Sequence, residues 1–247
     1  MRHAILADTN GNLTALTAVL DDIERRGGVD GVWCLGDVVG YGPEPSACID
    51  RLRETTDVCV AGNHDRAAGG KIDTADFNPA AAIASRWTAG RLSPQGKEYL
   101  GDLPPRLVRG DFTMVHGSPR DPIWEYLVSG AAAAENLAHF ETRYCLVGHT
   151  HVPMVFAAGD GGVDGSCTAR HWTTDDPVIL EERRLIVNPG SIGQPRDGDP
   201  RASYAIHDGN EGSLRLYRVG YDVRATQKKM QALGLPERLI SRLEHGL

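Results

Sequence analysis

Gly36-Asp37-Val38-Val39-Gly40 follows the apolar run Gly31-Val32-Trp33-Cys34-Leu35. The run reads as a buried strand. A carboxylate between two glycines at the end of such a strand is held where a ligand can reach it. Four further stretches repeat the pattern: Asp8-Thr9-Asn10, Gly62-Asn63-His64-Asp65, Val115-His116-Gly117 and Gly148-His149-Thr150-His151. Each places Asp, Asn or His just behind an apolar run. Singly, such a block also reads as an ordinary turn or cap. Jointly, the five point to one shared site.

The chain around these blocks reads as alternating strands and helices. Residues 2–7 form a strand, and Asn12 caps a helix that carries Leu13, Leu16, Val19, Leu20 and Ile23 on one face. With the strand at 31–35 this makes a strand-helix-strand unit, which favours a parallel pair and a right-handed crossover. A helix over 46–54 and a third strand over 57–61 follow. Residues 66–106 lack strand signals and read as a helical insertion, with a helix between Pro79 and Pro94. Strands are expected at 112–115, 144–147, 152–157 and 184–187, and a helix at 131–137. The Gly-, Asp- and Thr-rich stretch 159–177 reads as a loop. Asn188-Pro189-Gly190-Ser191 reads as a tight turn closing the sheet, in preference to a backbone amide placed at the site. An antiparallel pair at 202–207 and 213–219 precedes a helical tail. With no repeat or linker, residues 1–247 are expected to form a single domain.

Composition excludes several function classes. The 247 residues are enough for a full core, and the net charge is −7. That charge disfavours nonspecific binding to nucleic acid or anionic membranes. It leaves phosphate substrates open, because bound cations invert the local field. No apolar run approaches a membrane span, and the N-terminus lacks a signal-peptide layout. Five cysteines without CxxC spacing argue against a thiolate zinc site or a catalytic thiol, and a reducing cytoplasm is the expected setting.

The chemistry of the five blocks suits metal ions. Two divalent cations close together repel each other. A shared carboxylate offsets this and fixes their separation, roughly 3.5–4 Å in two-metal hydrolases. Asp37 suits that role. His116, His149 and His151 can supply neutral imidazole, Asp8 a second carboxylate and Asn63 an amide oxygen. A mixed O/N set without thiolate fits Mn, Fe, Zn, Co, Ni or Mg better than a structural zinc. His3, His139, His171, His207 and His245 lack such neighbours and read as ordinary histidines.

The blocks resemble the calcineurin-like metallophosphoesterase superfamily. Its pattern is Asp-x-His, Gly-Asp-x-x-Gly, Gly-Asn-His-Asp/Glu, a His, and Gly-His-x-His. Here these stand as Asp8-x-Asn10, Gly36-Asp37-x-x-Gly40, Gly62-Asn63-His64-Asp65, His116 and Gly148-His149-x-His151. The size resembles the small prokaryotic phosphodiesterases of that superfamily. The resemblance implies an α/β fold, a four-layer αββα sandwich of two mixed sheets flanked by helices, with the site at strand ends. By position, Asp8, Asp37 and His151 are expected to hold one metal. Asp37, Asn63, His116 and His149 are expected to hold the other. A hydroxide bridging the two ions would attack phosphorus in line, its pKa lowered by the metals. His64, close to Asp65, would give a proton or hydrogen bond to the leaving oxygen.

One block departs from the pattern. Asn10 stands where the family usually has His. An amide oxygen either ligates a metal weakly or holds a metal-bound water, so the first metal is expected to bind less tightly or shift toward Mn or Mg. Arg120 and Arg196, with Asn63, are candidate substrate contacts, since an arginine fork can bind phosphate. Salt bridges from the two arginines to Asp121 and Asp197 in the same loops are the favoured alternative. The expected function is a metal-dependent hydrolase of small phosphoesters, nucleotide-derived ones among them. Diesters are placed ahead of monoesters by resemblance. A phosphomonoesterase or protein phosphatase is the near alternative. A non-catalytic protein-binding scaffold is the distant one, permitted by Asn10 and opposed by His64. No stable nucleic-acid or membrane partner is expected, and homo-oligomerisation is left open.

Overall fold

Strand β1 (Arg2–Leu6) and strand β2 (Gly31–Cys34) lie parallel, joined by helix α1 (Leu13–Arg25). The computed structural model describes residues 1–159 and 166–247. Asn12 starts α1, its Oδ1 accepting from the Ala15 amide at 3.2 Å. The helix then buries Ala15, Leu16, Val19, Leu20 and Ile23 along one face. Next come α2 (Pro45–Thr55), α3 (Asn63–Ala68), α4 (Pro79–Arg91) and α5 (Pro94–Asp102). Pro79 and Pro94 each occupy the first turn of a helix, where a missing N–H costs nothing. Pro94 therefore opens a second helix as well as bounding the first.

The remaining elements complete two sheets. They are β3 (Arg106–Arg109), β4 (Phe112–Val115), α6 (Gly130–Asn136), β5 (Tyr144–Leu146), β6 (Pro153–Ala158), β7 (Cys167–His171), β8 (Val178–Ile179), β9 (Leu185–Pro189), β10 (Ala202–Asp208) and β11 (Ser213–Val219). Helices α7 (Val223–Ala232) and α8 (Glu237–Ser241) close the chain. One sheet runs β2-β1-β10-β11-β8, the other β3-β4-β5-β9-β6-β7. Both mix parallel and antiparallel pairs.

Side-chain alternation explains the layering. Ala4 and Leu6 of β1 face outward onto Leu16, Val19, Ile49 and Leu52 of α1 and α2. Ile5 between them faces inward, packing with Trp33, Leu35, Met114, Leu146, Val187 and Leu216 of both sheets. The far face of the second sheet, with Val115, Cys145, Phe156 and Ile186, is covered by Ala133 and Phe140 around α6. The result is the αββα sandwich. Among the described residues no helix is long and apolar enough to cross a membrane.

Three local expectations need correction. Residues 57–61 make one parallel bridge, Cys34 to Cys59, in place of a full strand. The Ala61 amide turns away to the Pro104 carbonyl, which ends the pairing. The expected loop at 159–177 contains β7, an exposed edge strand paired antiparallel with β6; residues 160–165 of that loop lie outside the described residues. Asn188 and Pro189 belong to β9, and the turn begins at Gly190, whose φ of +80° suits glycine.

Candidate metal centre

Every block singled out in the sequence follows the C-terminal end of a strand or, for Asn63, of the bridged segment at Cys59. The ends of β1, β2, β4 and β5 meet where the two sheets adjoin, so chain-distant loops converge. Among the described residues, five non-glycine residues have positive φ: Asp8, Asn10, Asp37, His149 and His151. All five belong to these blocks. Left-handed backbone at such residues persists where the surroundings over-determine it, commonly at functional sites.

Two ligand groups result. Asp37, His116 and His149 form one; Asp8, Asp37 and His151 form the other, with ligand atoms in each group within 4.8 Å of one another. Asp37 is common to both. His116 Nε2 lies 3.4 Å from Asp37 Oδ2, 3.3 Å from Asn63 Oδ1 and 3.0 Å from His149 Nδ1. His151 Nε2 lies 3.3 Å from Asp8 Oδ1. All six side chains are buried.

The outer nitrogen of each imidazole is anchored on a backbone carbonyl. His116 Nδ1 donates to Leu35 at 2.9 Å, His149 Nε2 to Trp124 at 3.1 Å and His151 Nδ1 to Gln194 at 2.6 Å. A carbonyl accepts only, so the neutral ring keeps its N–H outside and turns a lone pair inward. The inward nitrogens of His116 and His149 then face each other at 3.0 Å, an arrangement that a cation or a proton must relieve. Burial pushes the His116 imidazolium down, but Asp37, as neighbouring charge and hydrogen-bond acceptor, raises its pKa to about 10. The field that holds this proton can equally hold a metal ion. Burial, then the charge of His116, keeps His149 well below the ordinary histidine range. For Asp37 burial acts upward, but His116 and His64 outweigh it and hold the carboxyl below the usual range. The donor set therefore fits divalent cations.

Close approach fixes Asp37. Its Oδ1 accepts from the His64 amide at 2.9 Å. A Cβ at Gly62 would stand 2.0 Å from that oxygen, so only glycine fits there. Asn10 donates from Nδ2 to the Asp8 carbonyl at 3.0 Å, and its buried Oδ1 has no partner. A Cβ at Gly40 would meet that oxygen at 2.6 Å and His64 Cγ at 3.2 Å, which places the Asn10 amide oxygen beside His64.

His64 and Asp65 part company. Asp65 accepts from the amides of Gly62 (3.0 Å) and Val39 (3.2 Å), a cap that pins α3 to the Asp37 loop. The ring of His64 instead meets Ser85 Oγ on α4, 2.9 Å from Nδ1. A hydroxyl donating to Nδ1 leaves Nε2 as the N–H. Burial lowers the His64 pKa to about 4 despite the opposing pull of Asp37, so the ring is neutral. Tyr41 and Phe77 pack edge-on against it, at ring-centre distances of 4.4 and 4.9 Å.

The two arginines have different surroundings, and neither bridges to the expected aspartate. Arg120 pairs with Glu125, Nε to Oε2 at 2.9 Å, and with Glu135. Glu125 also holds Ser118 and Asn136, which ties down the loop carrying Trp124 and Tyr126. Tyr126 stacks on His149 at 3.9 Å between ring centres. Arg196 lies by the centre, its amide donating to the His151 carbonyl at 3.2 Å and its Nη2 to Tyr41 Oη at 3.2 Å. The turn after β9 is tied to the same place: Ser191 Oγ donates to the Asp8 carbonyl at 2.9 Å. Ser85, Tyr41, Trp124 and Gln194 were not singled out from the sequence, since none stands in a ligand-like block.

The chain matches the calcineurin-like phosphoesterase superfamily domain over residues 1–212 and belongs to that family. It is 35% identical to the uncharacterized protein MJ0912 of Methanocaldococcus jannaschii, across 98% of this chain and 97% of that one. Among solved structures it is similar to a metallophosphoesterase from Sphaerobacter thermophilus, with a TM-score of 0.90, 44% identity and coverage of 100% and 99%. It is also similar to the hypothetical protein PH1004 from Pyrococcus horikoshii OT3, with a TM-score of 0.79, 25% identity and coverage of 100% and 98%.

Proposed function

We propose that the protein is a dinuclear metal-dependent phosphoesterase acting on small phosphodiesters. The observation that carries this reading is the pair of buried ligand groups sharing Asp37. Asp8, Asp37 and His151 hold one cation; Asp37, Asn63, His116 and His149 hold the other. When bound, the cations neutralise charge on the phosphoryl group and lower the pKa of an attacking water. The carbonyls of Leu35, Trp124 and Gln194 fix the imidazole tautomers. Asn10 Oδ1, buried and unpartnered, supplies a further oxygen for a cation or its water.

His64 acts on the leaving group. Ser85 holds its Nδ1, so the Nε2–H is free to donate to the departing oxygen. A neutral ring at neutral pH serves as a hydrogen-bond donor, with no need of an imidazolium. Asp65 positions the loop and takes no part in proton transfer. The preference for diesters follows the likeness to small phosphodiesterases. Hydrolysis of bis(p-nitrophenyl) phosphate by Mn-loaded protein, compared with p-nitrophenyl phosphate, tests the reading. The diester is expected to have the higher kcat/KM. Faster monoester cleavage would reverse the preference, and no turnover of either ester with Mn, Zn, Co, Ni, Fe or Mg would favour the scaffold.

A further inference from the structure

The inner rows of two strands end in histidine. Alternation carries the row of Ile5 on β1 to His3, and that of Ala205 on β10 to His207. Both side chains therefore stand between the sheets, next to apolar core. They are paired in register, with nearly parallel rings 5.9 Å apart. Trp33 of β2 lies nearly parallel to both, 4.4 Å from His3 and 6.1 Å from His207 between ring centres. Phe112 of β4 meets His207 edge-on at 4.8 Å and packs 5.1 Å from Tyr144 of β5. The two sheets do not close over these rings. A cavity of about 890 Å³ opens there, lined by His3, Trp33, Phe112, Tyr144 and His207, and its volume is that of a small-molecule site.

Polar groups on the cavity wall are left open. Burial holds both imidazoles below the ordinary histidine range, so they are neutral at neutral pH. Nδ1 of each is buried without a partner, and an orphaned acceptor is tolerated there better than an orphaned N–H. The proton then sits on Nε2, which is neither buried nor hydrogen-bonded among the described residues. On the rim, the β3–β4 turn pairs Arg109 with Phe112, and the Tyr144 amide donates to the Asp111 carbonyl at 3.0 Å, which brings Arg143 to the same turn. Both arginines line the cavity and are exposed, with no carboxylate partner among the described residues. Of the carboxylates on the wall, Asp30 accepts from the Arg2 amide at 2.7 Å, while those of Asp57 and Asp111 stay open among the described residues.

We propose that this cavity is a second ligand site, separate from the metal centre, and that it takes a mononucleotide. Flat rings, neutral donors, cations and open carboxylates on one wall suit a planar nitrogen heterocycle that carries a phosphate. The base lies against the aromatic rings and accepts from the Nε2–H groups of His3 and His207. The phosphate pairs with Arg109 and Arg143 at the rim, and amino or hydroxyl groups donate to Asp57 and Asp111. No candidate metal ligand lines the cavity. The strands lead away from it, from Trp33 to Asp37 and from Phe112 to His116, so about 15 Å of chain separates the two sites. The site does not depend on the phosphoesterase reading.

Calorimetric titration of Mn-loaded protein with adenosine 5′-monophosphate, adenosine and ribose 5-phosphate tests it. The nucleotide is expected to bind about tenfold or more tighter than either fragment, the size of a charge-assisted contact. Arg109→Gln/Arg143→Gln, at exposed positions that do not threaten the fold, is expected to weaken nucleotide binding about tenfold or more. His3→Phe/His207→Phe keeps the rings, removes the Nε2–H donors and is expected to weaken it as well. Asp37→Asn, at the other end of the sandwich, is expected to leave the affinity unchanged. No binding by wild type at about 1 mM nucleotide, or a fragment that binds as tightly, overturns the site. So does an affinity unchanged in either double variant. Binding lost in Asp37→Asn would place the nucleotide at the metal centre and likewise overturn it.

Discussion

The two ends of the sandwich both hold histidines, fully buried at one and half-buried at the other, with different neighbours. At one end His116, His149 and His151 rest their outer nitrogens on carbonyls and turn the inner ones toward Asp37 and Asp8. At the other, His3 and His207 face each other across β1 and β10 and stack with Trp33, while Phe112 meets His207 edge-on. They line a cavity of about 890 Å³. Among the described residues, Nδ1 of each is buried without a partner and neither histidine belongs to a ligand group. Burial lowers the pKa of both. Bringing histidines together therefore does not by itself build a candidate metal centre. A carboxylate within reach and a carbonyl that fixes the tautomer make the difference. Among the described residues, the non-glycine positions with positive φ all lie at the first end.

Each prediction presses on this contrast. Asp37→Asn removes the group common to both ligand sets and is expected to cut hydrolysis at least about 10³-fold, since even outer partners of ligands cost 10–100-fold. Retention of a tenth of the activity in a steady-state assay would break the contrast. His64→Ala is expected to keep its metal content and lose about 10²–10⁴-fold in kcat. Ser85→Ala should lose less, through a freed tautomer. An unchanged kcat in His64→Ala would remove the ring from the chemistry. Asn10→His is expected to tighten the weaker site about tenfold and to move its preference from Mn toward Zn, read by calorimetric titration. Equal affinity and preference in both proteins would leave Asn10 outside the ligand set.

The smallest effect belongs to the far end. Burial, then the charge of His3, lowers His207 from the ordinary 6.5 to about 4. The unfolded chain then takes up this proton below about pH 6.5, while the folded chain resists until about pH 4. Stability contributed by the neutral ring is therefore lost as pH falls through that window. His207→Phe is expected to flatten this part of the Tm-versus-pH curve. A curve parallel to wild type would show that the ring protonates freely in the fold.

Much of this was readable in the chain. Ligands placed directly behind apolar runs are local signals, so Asp8, Asp37, His116, His149 and His151 stood out without coordinates. The helix starts at Asn12 and Pro79 were equally local. Interactions across the chain were not. Ser85 reaches His64 from α4, and only packing of the helices on the Asp37 loop makes that pair. Arg120 and Arg196 look alike in sequence, each beside an aspartate; the fold gives one to Glu125 and sets the other by His151. Strand β7 was hidden because an exposed edge strand lacks an apolar face to announce it.

The central claim is that one carboxylate organises two metal sites at one end of the sandwich. Metal counting by inductively coupled plasma mass spectrometry on Mn-loaded protein tests it most directly. Two ions per chain are expected in wild type and in the His3→Phe/His207→Phe variant, and no more than one in Asp37→Asn. Two ions retained by Asp37→Asn, or an ion lost with His3 and His207, would contradict the account.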